Sequence, residues 1–150
     1  VIVAVTDGER LLLGRQASWP ARRYSTLAGF VEPGETLEQT VAREVMEESG
    51  VRVRTSRYLG SQPWPFPGAL MVGFRAQAQD DLPTVDGELE DARWFSAEEV
   101  GAALARDVED DGEGIRLSPP ISISRGLIEH WYRQQPASGG ASTSTLSPQV

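Results

Sequence analysis

Two short runs, Val1-Ile2-Val3-Ala4-Val5 and Leu11-Leu12-Leu13, are almost wholly apolar, and Thr6-Asp7-Gly8-Glu9 separates them. Apolar runs of this length closed by an Asp-Gly turn predict two buried strands, at about 1–6 and 10–16, joined as a hairpin. Branched or alternating apolar residues recur at 24–30, 51–60, 70–79 and 91–95 and predict further strands, the first leading directly into a helix. That helix follows from Leu37, Val41 and Val45 at helical spacing with Ala42 and Met46 beside them, an apolar stripe expected to face a core. Thr36 with Gln39 three residues on fits a capping box, and Gly50 stands where a left-handed residue ends a helix. Ser96 with Glu99 opens a second helix, to about Arg106, and a third is expected near 122–134 after Pro119-Pro120. Strands alternating with helices predict an α/β fold, a mixed sheet between helical layers. Residues 1–135 read as one domain, Asp107 to Gly114 as an acidic solvated connection, and 136–150 as a disordered low-complexity tail.

Composition narrows the chemistry. With 150 residues and 39% hydrophobic content, the chain can bury a core without disulfides, and it has no apolar stretch long enough for a membrane span. It contains no cysteine and one histidine, so a thiolate site or Cys nucleophile is excluded within these residues. A Ser-His-Asp arrangement would depend on His130, which sits in an amphipathic segment where packing or surface exposure explains it. The absence of cysteine, with no visible secretory signal, leads us to expect a cytoplasmic protein. A net charge of −8 argues against tight nonspecific nucleic-acid binding, although Arg15, Arg22, Arg23, Arg52, Arg54 and Arg57 offer local cations to an anionic substrate or an RNA 5′ end.

The first helix also carries Glu44, Glu47 and Glu48 at i, i+3 and i+4, the latter two in its last turn. The helix macrodipole is negative there, and like charges at these spacings repel. A divalent cation would reverse the sign of both effects. The glutamates are expected to line a cleft opposite the apolar stripe, and the planar fork of Arg43 to hold Glu35 on the preceding loop. Mg²⁺ takes oxygen ligands and keeps several waters, so carboxylates plus substrate phosphate suit it.

Gly29, Glu35, Arg43, Glu44, Val45, Glu47, Glu48, Gly50 and Val51 stand at the spacing Gly-x5-Glu-x7-Arg-Glu-U-x-Glu-Glu-x-Gly-U, with U aliphatic. The run resembles the Nudix box at every fixed position. The resemblance implies an α/β/α sandwich that hydrolyses a diphosphate linked to a nucleoside-like group with Mg²⁺ or Mn²⁺. It also implies that Gly29, Glu35, Arg43 and Gly50 shape and orient the box, while Glu44, Glu47, Glu48 and, from the segment 86–95, Glu88 bind metal and act in catalysis. Glu90 and Asp91 are neighbours that spacing alone does not separate from Glu88.

Downstream stands Ser61-Gln62-Pro63-Trp64-Pro65-Phe66-Pro67, then Gly68-Ala69-Leu70-Met71. Prolines lack the donor that an inner strand needs, so a stiff loop displaying ring faces is expected. The segment resembles the signature Ser-Gln-Pro-Trp-Pro-Phe-Pro-x-Ser of the NADH pyrophosphatase branch, with Ala69 at the position of the last serine. That resemblance implies cleavage of NAD(H) to nicotinamide mononucleotide and AMP, and removal of NAD caps from RNA 5′ ends. By the same resemblance, Phe30 stacks on nicotinamide, the carbonyl of Ala28 helps hold metal, and residues from Gln62 to Ala69, with Ser124, contact substrate. A homodimer with a shared pocket is implied as well. The branch carries an N-terminal part and a four-cysteine zinc ribbon that these residues do not include, so no zinc site is expected here. The chain opens without methionine on a strand-like run, which fits a fragment or a natural truncation. Another nucleoside diphosphate derivative such as ADP-ribose is the alternative substrate, and a ligand sensor without turnover is the alternative class.

Overall fold

The computed structural model describes residues 1–107 and 109–136. Its sheet has the strand order β5-β6-β1-β2-β7, formed by β1 (Ile2–Thr6), β2 (Leu11–Arg15), β5 (Val53–Trp64), β6 (Ala69–Ala78) and β7 (Asp91–Phe95). The hairpin β1-β2 is antiparallel, whereas β1 and β6 run parallel with Val3 opposite Phe74. The sheet is therefore mixed, as expected.

Strand β1 is covered on both faces, and its alternation sorts the core into two layers. Val1, Val3 and Val5 pack with Val41 and Val45 of α1 (Leu37–Ser49). Ile2 and Ala4 pack with Val100 and Ala103 of α2 (Ala97–Ala105) and with Leu127, Ile128 and Trp131 of α3 (Ile123–Arg133). One helix thus covers one face and two cover the other, the α/β/α arrangement. Fully burying a Val or Leu side chain contributes about 1.5–3 kcal/mol, so this central strand anchors both layers. Among the described residues, no helix is long and apolar enough to cross a membrane.

The ends of α1 follow the sequence closely. The Thr36 hydroxyl accepts from the Gln39 amide at 3.1 Å, and the Gln39 side chain accepts from the Thr36 amide at 2.8 Å. Gly50 has φ of 70°, where a Cβ would be strained, and its amide donates to the Met46 carbonyl. The stripe differs from expectation. Thr40, Val41, Glu44, Val45, Glu48 and Ser49 are buried, while Leu37 and Met46 are substantially exposed. Positions 41, 44, 45 and 48 form one continuous face, so two glutamates share the packed side of the helix instead of opposing it.

Two strand expectations are corrected. The segment 24–30 splits into β3 (Arg23–Tyr24), paired with β8 (Arg116–Leu117), and β4 (Leu27–Ala28), paired with the near end of β1. The edge of β1 is shared: β2 takes Val5 and Thr6, which leaves only Ile2 and Val3 for β4. The proline-rich segment is not wholly a loop, because Ser61 to Trp64 continue β5, with Gln62 opposite Met71. β5 is an edge strand, where a missing donor can face outward, and only 65–68 form the turn. The disordered tail expected over 136–150 lies, from residue 137 onward, outside the described residues.

Candidate active site

Glu44 and Glu48 are each only 9% exposed, one helical turn apart on the flank of α1 that meets β4. Glu88 reaches them from the long connection between β6 and β7, and the three residues offer carboxylate oxygens within 4.8 Å of one another. That connection is tied down on both sides of Glu88. The Thr84 amide donates to the Ser49 carbonyl at the end of α1, and the Trp94 indole and Arg52 guanidinium engage the backbone and side chain of Asp81. Leu89 inserts into the core, and Glu90 pairs with Arg15 at 2.5 Å. Glu88, not Glu90 or Asp91, therefore points at the helix glutamates. No local pattern announces Thr84 or Asp81 as supports, because their contacts lie far away in the chain.

Gathering three carboxylates has an electrostatic cost. Burial, above all, pushes the Glu48 carboxyl up to about 8, and the charges of Glu44 and Glu88 push in the same direction. A hydrogen bond from the Ala28 backbone offsets part of this. The Glu48 Oε2 atom is buried without a hydrogen-bond partner. An orphaned carboxylate oxygen facing two further carboxylates matches the all-oxygen donor set of a hard divalent cation. Gly29 makes the arrangement possible, since a Cβ there would lie 2.0 Å from the Glu44 carboxyl carbon.

Arg43 organises the approach to this cluster. Its Nε and Nη2 donate to the two oxygens of Glu35 at 2.6 and 2.8 Å, its Nη1 donates to Glu44 at 2.7 Å, and its Nη2 also reaches the Phe30 carbonyl at 3.0 Å. This fork holds the Glu35 carboxyl down at about 2, helped by the Glu32 amide. The same partners raise the Arg43 guanidinium above its ordinary value. Glu47 is outside the close carboxylate triplet. Its side chain is half exposed and accepts from Arg43 at 3.2 Å, at the rim of the cluster.

A pocket of about 470 Å³ lies beside the cluster, between Ala28 to Val31 on one wall and Gly68 to Val72 on the other. Phe30 is 84% exposed at its edge, and Gly68 and Ala69 face it. Pro65, Phe66 and Pro67 are exposed on the adjoining turn, and Pro63 and Trp64 end β5 before it.

Two residues expected to contact substrate are engaged within the fold. Gln62 uses both ends of its amide on the chain itself, donating to the Ile121 carbonyl and accepting from the Ile123 amide, each at 3.0 Å, and so fixes the start of α3. Ser124 is 2% exposed, with its hydroxyl 2.7 Å from that of Ser25 and 2.8 Å from that of Thr26. It braces the strand segment that presents Ala28. Arg15, Arg22 and Arg52, expected as local cations for an anionic substrate or an RNA 5′ end, pair with Glu90, Asp110 and Asp81. The larger hollow of about 590 Å³ on the α2 side is lined by Arg15, Arg22, Tyr24 and Arg93 among others, whereas the 470 Å³ pocket adjoins the cluster through Gly29, which abuts the Glu44 carboxyl.

The comparisons with known proteins agree with the fold. The family description NUDIX domain matches residues 1–117, and the chain belongs to that family. It is 54% identical over 136 residues to the NAD-capped RNA hydrolase NudC of Mycobacterium bovis (strain BCG / Pasteur 1173P2), covering 87% of this chain and 44% of that protein. It is 45% identical over 131 residues to the NAD-capped RNA hydrolase NUDT12 of Homo sapiens, covering 87% of this chain and 28% of that protein. The chain thus spans less than half the length of these relatives. Among solved structures, a NUDIX-family hydrolase from Clostridium perfringens superposes with a TM-score of 0.64 at 16% identity, covering 87% of this chain and 95% of that one, a likeness of fold.

Proposed function

We propose that this chain is a hydrolase of the pyrophosphate bond of NAD(H), releasing nicotinamide mononucleotide and AMP, and that it removes NAD caps from RNA 5′ ends by cleaving the same bond. The observation that carries the reading is the convergence of Glu44, Glu48 and Glu88 on one point beside an open pocket. The names of the relatives support the NAD-linked substrate. Glu44, Glu48 and Glu88, with the Ala28 carbonyl and Glu47 at the rim, would hold Mg²⁺ or Mn²⁺. Such an ion neutralises the diphosphate and acidifies water.

The protein's own groups do the positioning. Arg43 fixes Glu35 and Glu44 so that the carboxylates need little rearrangement, and the backbone of Gly29 allows close approach. The pocket between Phe30 and Ala69 has the size and apolar character to receive the nicotinamide end, with Phe30 free to stack on it. Water then adds to one phosphorus as the bridging P–O bond breaks. The exposed apolar tip formed by Trp64, Phe66 and Leu70, with Ile121 nearby in the chain's fold, supports a homodimer that completes this pocket. Nothing in the reading requires a membrane.

The test is hydrolysis of NADH, NAD⁺, ADP-ribose and NAD-capped RNA, with products identified by mass, in Mg²⁺, in Mn²⁺ and in chelator. Turnover of NADH and capped RNA that disappears with chelator is expected, with Glu48→Gln reduced on the order of a thousandfold. Preference for ADP-ribose would replace the substrate assignment, and full activity of Glu48→Gln would overturn the site.

A further inference from the structure

The hairpin β5-β6 carries cations on the face turned away from α1, remote from the carboxylate cluster. Phe74, Ala76 and Ala78 belong to the core beneath α1, so strand alternation turns Arg75 to the opposite face. Arg57 stands directly across from Arg75 in the ladder. Like charges directly opposite each other destabilise an antiparallel pair. Neither guanidinium has a carboxylate partner among the described residues, whereas most arginines of the chain do, Arg22 with Asp110 and Arg52 with Asp81 among them. Internal stability does not account for this pair.

Next to it lies a hollow of about 310 Å³ between the hairpin and α3, lined by Leu59, Gly60, Ser61, Gly126, Leu127 and His130 among others. Leu59 is two residues from Arg57, and Gly73, two residues from Arg75, packs against Ile123 and Leu127 of α3. The hollow and the arginines are thus continuous along the strands. Its walls are mostly apolar, and the two glycines keep it open: a Cβ on either Gly60 or Gly126 would meet nothing within 4 Å. The His130 Nδ1 atom is buried without a partner. An apolar slot with a polar edge group suits a flat heterocycle, and two unpaired guanidiniums one step along suit its phosphates.

We propose that this trough binds the RNA body of a capped substrate, with a nucleobase in the hollow and adjoining phosphates on Arg57 and Arg75. The proposal rests on the capped-RNA reading above. A chain of net charge −8 repels RNA at long range, so binding beyond the cap needs a local cationic foothold. Free NADH has no such extension and should be indifferent to the trough.

The experiment compares the wild type, Arg57→Gln/Arg75→Gln and Gly126→Leu on NADH and on an NAD-capped oligoribonucleotide over a salt series, with melting temperatures recorded. The double variant is expected to raise KM for the capped oligonucleotide about tenfold, and its salt slope should fall by about 1.4, near 0.7 for each phosphate no longer neutralised. Gly126→Leu fills the hollow and is expected to raise the same KM while keeping the slope. Both variants should melt like the wild type and retain its NADH parameters. A wild type that hydrolyses neither substrate refutes the functional reading itself. NADH turnover with capped-RNA KM and salt slope unmoved in the variants overturns the trough alone, as would equal losses on the two substrates, whereas a wild type active on NADH only overturns the trough together with the capped-RNA half of the functional reading.

Discussion

Glu48 should make the metal-free protein sensitive to pH in a direction opposite to most paired carboxylates. Its carboxyl is raised from 4.5 to about 8 by burial and by Glu44 and Glu88. A raised carboxyl favours the folded state while it is protonated, so this contribution is complete below about pH 4.5 and is lost as pH rises through about 8. At about 1.4 kcal/mol per pH unit the full range would amount to ~5 kcal/mol, and screening by water at the mouth of the site reduces this to ~2 kcal/mol. For a domain of this length that corresponds to about 4–8 °C in Tm. The perturbation is Glu48→Gln, which resembles the protonated acid at every pH. Thermal unfolding in chelator at several pH values between 5 and 9 is the assay. The wild type should lose stability relative to Glu48→Gln as pH rises, and excess Mg²⁺ should restore the wild type far more than the variant. Parallel pH profiles for the two proteins in chelator would refute the electrostatic argument.

Gly29→Ala places a methyl group onto the Glu44 carboxyl, so Mg²⁺ affinity, read from the Mg²⁺ dependence of Tm, and turnover should both fall by at least about tenfold, since positioning groups around metal ligands typically matter by that much; an active variant with normal metal response would show that Glu44 does not need its present position. Ser124→Ala leaves the buried hydroxyls of Ser25 and Thr26 short of a partner and should cost about 1–3 kcal/mol of stability, read by urea unfolding, with KM for NADH unchanged. A raised KM without loss of stability would return Ser124 to the substrate site. Sedimentation over a concentration series should show a dimer, weakened by Phe66→Asp at the exposed tip. A strict monomer that turns over NADH as fast as any longer form would dismiss the shared pocket.

The local signals in this chain were strong where the physics is local. The Thr36 and Gly50 caps, the apolar runs of β1 and β2, and the pairing of Arg43 with Glu35 depend on residues close in sequence, and each is present in the structure. The all-oxygen, cysteine-free character of the site was likewise set by composition and by the box spacing. Tertiary structure decided what spacing leaves open. The i, i+3, i+4 pattern cannot say whether Glu44 and Glu48 face water or the core, because that depends on which side of α1 the sheet covers. It also cannot separate Glu88 from Glu90: neighbouring residues point different ways only once Leu89 is buried between them. The same holds for Ser61 to Trp64, which prolines would bar from a central strand but which packing assigned to an edge, and for Gln62 and Ser124, whose polar groups were claimed by partners about sixty and one hundred residues away. A buried hydrogen-bonding group must find a partner, and folding chooses it from the whole chain, at distances where sequence spacing carries no information.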